Sequence, residues 1–471
     1  MDTKDQLQVH TVVIGSGPSG YAAAFRLADL LGQSERVAMV EQYGHGKMAV
    51  LGGVCLNEGC IPSKTYLHMA EVINETKALS KHGLSFGKVK LSKSKILKYK
   101  QSVVAKLNKG IAALANKRHV EVVHGTAEFI DTHHLRVGET QIEFKQAIIA
   151  TGSQPISLPF MPKDDRIIDS TQALELPTME GKLLVIGGGI IGCEMATVYQ
   201  AFGMDVTVVE MCDQIMPGAD PDLAKPCQKM MESRGISIQL ESTLKQVSVV
   251  DKQLVATVQS KDGSESDEQY DLILQAIGRK PNSNHINLEA VNIDVDAKGF
   301  IVVDGSYRTN HQHIYAVGDV VGDPMLAHKG TAEGRLVAEI IAGKRLKFDA
   351  TIPSVAYTDP EVAWVGYTEI QAKANNIPYR VAKFPWAACG RAICLDRTEG
   401  FTKLLVNTDN NRIIGAGIVG VTAGDLIAEL ALAIEMGCDI EDIALTIHPH
   451  PTLSETVGLT AEVYEGTVTD L

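Results

Sequence analysis

One local pattern occurs twice in this chain and fixes most of what it can fold into. The β-branched run Thr11-Val12-Val13-Ile14 leads into Gly15-Ser16-Gly17-Pro18-Ser19-Gly20, then a helix-forming stretch at 21–27, then an apolar run at 37–40 that ends on Glu41. The apolar run at 183–186 leads in the same way into Gly187-Gly188-Gly189-Ile190-Ile191-Gly192, a helix-like stretch to Phe202, and a run at 206–209 ending on Glu210. Strand, G-x-G-x-x-G, helix, strand and acid is the setting in which such glycines mean a dinucleotide site rather than a turn without a ligand. Gly15 and Gly187 make the tight turn, Gly17 and Gly189 let a pyrophosphate approach the backbone, and Gly20 and Gly192 permit close helix–strand packing. The helix N-terminus offers N–H groups to the phosphates, and the acid accepts from ribose hydroxyls. Two copies imply two dinucleotides. Glu210 would repel a 2′-phosphate, and no arginine pair follows it, which favours NAD(H) over NADP(H). The alternative is that Glu210 only ends a strand.

Each unit closes with a further apolar strand. The first ends at Ala150-Thr151-Gly152 and the second at Ala276-Ile277-Gly278-Arg279. Residues 64–117 read as a polar, lysine-rich helical excursion and 120–137 as short strands. The run at 314–317 reads as a strand entering Gly318-Asp319, where the carboxylate could bond a polyol hydroxyl, although most such turns are plain. From about residue 351 the composition changes. Residues 384–401 and 404–419 read as strands and 425–436 as an amphipathic helix, with no nucleotide motif. The expected fold class is α/β, with two Rossmann-like dinucleotide-binding domains plus a C-terminal α+β interface domain. The boundaries are 1–155 and 281–350 for the two parts of the first domain, 156–280 for the second, and 351–471 for the interface domain.

The run Gly52-Gly53-Val54-Cys55-Leu56-Asn57-Glu58-Gly59-Cys60-Ile61-Pro62-Ser63-Lys64 carries two cysteines five positions apart. On an ideal helix such positions are about 7.5 Å apart along the axis and point to different sides. A bond between them needs a bent backbone, which Gly59 permits. A helix starting nearby would favour a thiolate. The other reading is two unrelated buried thiols. Near the end, His450 and Glu455 are five apart. An imidazole whose second nitrogen faces a carboxylate is suited to proton abstraction near neutral pH. His448 is a second imidazole on the same loop.

A net charge of −13 and no long basic run argue against nucleic acid and anionic membranes as partners. No apolar run is long enough for a membrane span, and residues 1–10 resemble neither a secretory signal nor a transit peptide. The 8 cysteines lack zinc-finger spacing and do not form a secreted disulfide framework, so no metal is expected and the expected location is cytoplasmic.

Together these motifs resemble the flavoprotein disulfide reductases over essentially the whole chain, with the dihydrolipoyl dehydrogenases as the matching group. The resemblance rests on both glycine motifs, the dithiol run, Ala150-Thr151-Gly152, Ala316-Val317-Gly318-Asp319, Met325-Leu326-Ala327-His328-Lys329-Gly330, and His450-Pro451-Thr452 with Glu455. It implies FAD on the first motif, with Glu41 on its ribose, Asp319 near its ribityl chain, and Gly125, Gly152, Ala327 and Lys64 lining the flavin site. It implies NAD on the second, with Glu210 on its ribose and Gly278 nearby. It makes Cys55 the thiol that meets substrate and Cys60 the one beside the flavin, with Lys64 and Glu194 paired near the flavin's reactive nitrogen. His450, oriented by Glu455, would be the base and would come from the other subunit of a homodimer. The implied activity is oxidation of protein-bound dihydrolipoyl groups. The implied partners are lipoylated acyltransferases of 2-oxo acid dehydrogenase complexes, and a lipoylated glycine cleavage protein as a further candidate.

Two features depart from the family pattern. The loop at 42–51 is longer and is expected to be a surface bulge. Cys389 and Cys394 repeat the five-position spacing, but no Pro-Ser-Lys or flavin motif adjoins them, which argues against a second redox pair. A glutathione reductase would carry a different residue after the dithiol proline and basic residues for NADP. A mercuric reductase would end in a cysteine pair, where this chain has Val468-Thr469-Asp470-Leu471. A non-catalytic binding subunit on the same fold would not need an intact dithiol and base.

Overall fold

The computed structural model describes residues 6–469 and 471, apart from 47 and 88. The chain divides into two compact units, one of residues 1–65, 94–156 and 279–349 and the other of residues 66–93, 157–278 and 350–471.

The first unit is built on a seven-stranded sheet. Gln6–Ile14 lies between Val37–Glu41 and Thr140–Ile149, parallel to both. Glu121–His124 extends the sheet beyond Val37–Glu41, and Ile314–Ala316 pairs with the end of Thr140–Ile149, again parallel. All five residues of Val37–Glu41 are buried, as expected for a parallel strand covered on both faces. One face packs an apolar cluster that includes Val12, Val40, Phe129 and Ile314. The other packs Val13, Met39 and Ile148 against the helices Pro18–Leu31 and Ala327–Ile341. These helices approach closely because Gly334 lacks a side chain: a Cβ there would lie 2.3 Å from the Ser19 carbonyl oxygen. The longer loop at 42–51 forms a short antiparallel hairpin, Gly44–His45 with Met48–Ala49, and Tyr43 and Met48 are exposed.

The second unit holds a five-stranded parallel sheet, ordered Ile167–Asp169, Leu272–Gln275, Lys182–Ile186, Asp205–Val209 and Ser237–Gln239. An antiparallel three-stranded sheet, Thr243–Val250, Gln253–Gln259 and Glu265–Tyr270, is inserted between Ser237–Gln239 and Leu272–Gln275. The C-terminal part is a five-stranded antiparallel sheet. Its core includes Trp386, Phe384, Ile427 and Val457, the last two from the helices Ala423–Met436 and Glu455–Glu465. The region 384–401, expected as strand, is instead the end of Tyr379–Pro385 followed by two helical turns, Trp386–Ala388 and Gly390–Leu395. Trp386 is fully buried and its indole N–H donates to the Thr402 hydroxyl at 3.1 Å, so a tertiary contact overrides local preference.

One buried ionic group links the parts of this unit. Lys403, on Phe401–Asn407, is 1% exposed and donates to Asp220 at 2.7 Å, Asp222 at 2.8 Å and Glu369 at 3.3 Å. Burial works against its charge, but the carboxylates of Asp220 and Asp222 outweigh burial and hold its pKa above the usual lysine value. The three acids are spaced as a metal could use them, and the lysine ammonium supplies the counter-charge instead. No helix among the described residues is long and apolar enough to cross a membrane.

Candidate functional site

In the first unit the glycine turn sits at the carboxyl end of the central strand, where ligands bind in open α/β sheets. Gly15 has φ +108°, and a Cβ there would meet the Ala150 carbonyl oxygen at 2.3 Å. A Cβ on Gly20 would lie 2.0 Å from the Gly15 carbonyl oxygen. Gly17, by contrast, faces only the Cα of Gly53 at 3.9 Å, which leaves its backbone open to an anion. Gly17 caps the helix Pro18–Leu31, which has no side-chain cap, so its first N–H groups are free for phosphate. Glu41 is buried; it accepts from the Ser16 N–H at 3.0 Å, from the Ser16 hydroxyl, and from the Tyr43 N–H at 2.8 Å. A carboxylate has about four acceptor sites, so one remains for a ribose hydroxyl. Gly125 lies beside it, donating to the Glu41 carbonyl at 2.9 Å.

Asp319 lies at the same end of the sheet, since its turn follows the parallel strand Ile314–Ala316. The Ser153 hydroxyl donates to it at 2.6 Å, and Arg279 donates to both the Ser153 hydroxyl and carbonyl at 2.7 Å. Thr151 and Gly152 are fixed by Asn282, which accepts from the Thr151 hydroxyl at 2.7 Å and donates to the Gly152 carbonyl at 2.9 Å. Ala327 starts the helix Ala327–Ile341. Sequence reasoning missed the support beneath the Gly318–Asp319 turn. Glu333 is fully buried; it accepts from the Gly318 N–H at 2.6 Å and the Tyr307 hydroxyl at 2.9 Å, and pairs with Lys329 at 2.8 Å. The i, i+4 spacing of Lys329 and Glu333 was the available signal. Replacing Glu333 with alanine strands a buried ammonium, which costs roughly 3–5 kcal/mol. The expected result is a lower urea midpoint and faster flavin loss on gel filtration; unchanged values for both would contradict this role.

The dithiol is in the first unit too. The helix Gly53–Glu58 carries Cys55 and ends at Gly59 (φ −148°, ψ −111°), and Cys60 begins the helix Cys60–Leu79. The backbone therefore breaks where the spacing requires it. A Cβ at Gly59 would lie 3.0 Å from the Val54 carbonyl oxygen. The two thiols are hydrogen-bonded to each other; that bond and burial raise the Cys55 pKa, while the Lys64 ammonium one turn into the second helix lowers it. Cys55, but not Cys60, lines a cavity of about 600 Å³ whose walls include Tyr21, Leu56, Ile61, Leu107 and Arg335.

In the second unit the other glycine turn repeats the first. Gly187 has φ +100° and faces the Ala276 carbonyl oxygen, and a Cβ on Gly192 would lie 1.9 Å from the Gly187 carbonyl oxygen. Nothing lies within 4 Å of a Cβ on Gly189, at the start of Ile190–Phe202. Glu210 is buried and accepts from the N–H groups of Gly188 at 2.6 Å and Cys212 at 2.8 Å. Gly278 has φ +114°. Glu194, on the helix Ile190–Phe202, is buried and accepts from the Tyr357 N–H at 3.0 Å.

The C-terminal loop places Nδ1 of His450 2.8 Å from Glu455, whose other oxygen accepts from the Thr452 N–H at 2.7 Å. Burial pushes the Glu455 pKa up, but Thr452 and His450 bring it below the usual glutamate value. The His450 side chain is 79% exposed. Cys389 is buried with its thiol directed at the Thr452 carbonyl, whereas Cys394 is exposed across a helical turn, so the two are not bonded.

Both glycine cradles are open where a phosphate would approach, and their acids keep acceptor capacity, so the residues fit two dinucleotides. Residues 9–334 match the family described as pyridine nucleotide-disulphide oxidoreductase, and residues 352–461 match its dimerisation domain. The chain belongs to the pyridine nucleotide-disulphide oxidoreductase family and is an oxidoreductase whose cofactors are FAD and NAD. Its relatives include the dihydrolipoyl dehydrogenase of Vibrio cholerae, 50% identical over 99% of this chain and 98% of that protein. That of Haemophilus influenzae is also 50% identical, over 99% of this chain and 97% of that protein. Among solved structures, the HOCl-induced flavoprotein disulfide reductase RclA from Escherichia coli aligns with a TM-score of 0.85 at 28% identity, covering 96% of this chain and 99% of that one. These likenesses agree with the resemblance and the α/β fold class read from the motifs.

Proposed function

We propose that the chain oxidises protein-bound dihydrolipoyl groups to lipoyl groups through Cys55 and Cys60 and delivers the electrons to NAD⁺. The observation that carries this reading is the asymmetry of the dithiol: Cys55 lines a largely apolar cavity that suits an alkyl dithiol, and Cys60, at a helix start, does not. In the oxidised enzyme the pair is a disulfide. His450 takes the proton from one substrate thiol through Nε2, while Glu455 holds Nδ1 and favours the imidazolium that forms. The substrate thiolate attacks Sγ of Cys55, and the Cys55–Cys60 bond breaks to leave a mixed disulfide and a Cys60 thiolate. The second substrate thiol then displaces Cys55, which releases the cyclic disulfide and completes a two-electron reduction of the pair. Lys64, whose charge already acts on Cys55, and the helix start at Cys60 favour the thiolate. FAD, held by Gly15, Gly17, Gly20, Glu41, Gly125, Thr151, Gly152, Asp319 and Ala327, supplies two-electron transfer from the dithiol to NAD⁺. Gly187, Gly189, Gly192, Glu210 and Gly278 hold the NAD⁺.

The exposure of His450 fits service to the dithiol of a second copy, and the dimerisation domain supports a homodimer. The partners are lipoylated acyltransferases of 2-oxo acid dehydrogenase complexes, with a lipoylated glycine cleavage protein as a further substrate, in the cytoplasm. The test is NADH formation by the purified yellow holoenzyme from dihydrolipoamide and NAD⁺, then from a lipoylated acyltransferase domain. Absence of flavin absorbance, or of NADH formation, would sink the proposal.

A further inference from the structure

The loop that carries His450 contains a second His–Glu pair that the reaction above does not use. Nε2 of His448 is 2.8 Å from Oε1 of Glu429, on the helix Ala423–Met436. The His448 side chain is 8% exposed. Its ring lies on the bare backbone of Gly458 in the helix Glu455–Glu465: a Cβ there would be 2.8 Å from Nδ1. The ring thus seats against two helices, the one that follows the loop and the earlier Ala423–Met436, two residues before His450. Glu429 does most to raise the His448 pKa against burial, and the Thr446 carbonyl and Glu455 act in the same direction. The effect is mutual but small at Glu455, whose pKa is lowered first by the Thr452 N–H and His450 and last by His448. The charged groups facing this ring are therefore Glu429 from one helix and Glu455 from the other, with His450 beyond Glu455.

We propose that His448 and Glu429 are positioning residues for His450: a ring bonded to Glu429 and seated on Gly458, which pins the loop that carries the base. This rests on the assignment of His450 as the base. Glu429 acts here only through His448, and His448 only through the loop.

Glu429→Gln replaces a charge-assisted bond to Nε2 with a neutral one, and His448→Gln removes the seated ring, so the loop that carries His450 is held less firmly. The experiment uses the yellow holoenzyme with Glu429→Gln, His448→Gln and His450→Gln. It measures kcat and both KM values for dihydrolipoamide and NAD⁺ between about pH 6 and about pH 9. NADH reduction of an artificial one-electron acceptor, which needs no base, reports whether each variant is folded and flavin-loaded. For Glu429→Gln and His448→Gln the expected result is roughly tenfold lower kcat at neutral pH, an unchanged KM for NAD⁺, and wild-type NADH reduction of the artificial acceptor. Wild-type kcat for dihydrolipoamide in both variants would overturn the proposal. So would a loss from His448→Gln equal to that from His450→Gln, which would make His448 the base. Wild-type turnover in His450→Gln would instead remove the assignment of the base, whatever the other variants show.

Discussion

Serine at either position of the dithiol is expected to abolish NAD⁺-linked oxidation of dihydrolipoamide, by about 10³-fold or more. The substrate thiolate must find a disulfide to attack, and one cysteine cannot form it. A hydroxyl also cannot replace a thiolate as leaving group, because its pKa is several units higher. The two variants should differ in a second measurement. Cys55 lines the cavity of about 600 Å³ and Cys60 does not, so a bulky alkylating agent applied to the reduced wild type should label Cys55 ahead of Cys60. Substantial turnover in either serine variant would refute the disulfide mechanism. Preferential labelling of Cys60 would reverse the roles of the two sulfurs while leaving the mechanism intact.

The second large effect is at His450. His450→Gln keeps a polar side chain of similar reach but removes the proton acceptor, and general-base catalysis is worth about 10²–10⁴-fold. Turnover with dihydrolipoamide should fall by that factor, with FAD still bound and with NADH reduction of an artificial acceptor retained. The residual rate should rise with pH, because substrate thiolate then forms without help. A loss of flavin together with activity would show that the loop is structural. Glu455→Gln should cost less, since the imidazole remains, although the amide oxygen can accept from only one of the Thr452 N–H and His450 Nδ1–H and the charge that favours the imidazolium is gone.

Chemistry set by spacing along the chain was legible in the sequence. Both phosphate turns follow from glycines whose replacement would drive a Cβ into a carbonyl oxygen at about the same place in each copy. The break between Cys55 and Cys60 follows from helix geometry, and His450–Glu455 from a five-residue loop. Contacts that depend on distant segments were not legible. Glu333 supports the Gly318 turn together with Tyr307, 26 residues away in sequence. Trp386 turns an expected strand into two helical turns because its partner Thr402 lies on another strand. The antiparallel sheet 243–270 alternates polar and apolar residues on a mostly exposed surface, a weaker signal than the buried parallel strands around it. His448 was visible only as a rival to His450, because its partner Glu429 comes 19 residues earlier, on a different helix.

The Lys403 group bears on how the second nucleotide can come and go. Asp220 and Asp222 belong to the start of the helix Pro221–Ser233, while Lys403 and Glu369 belong to the C-terminal part of the same unit. Leaving the buried Lys403 ammonium without these carboxylates would cost roughly 3–5 kcal/mol. In mechanical terms the clamp forbids a hinge between the parallel sheet and the antiparallel one. Exchange of NAD⁺ for NADH is then left to side chains and loops around Gly189 and Glu210, and the C-terminal part serves as a fixed anvil rather than a moving jaw.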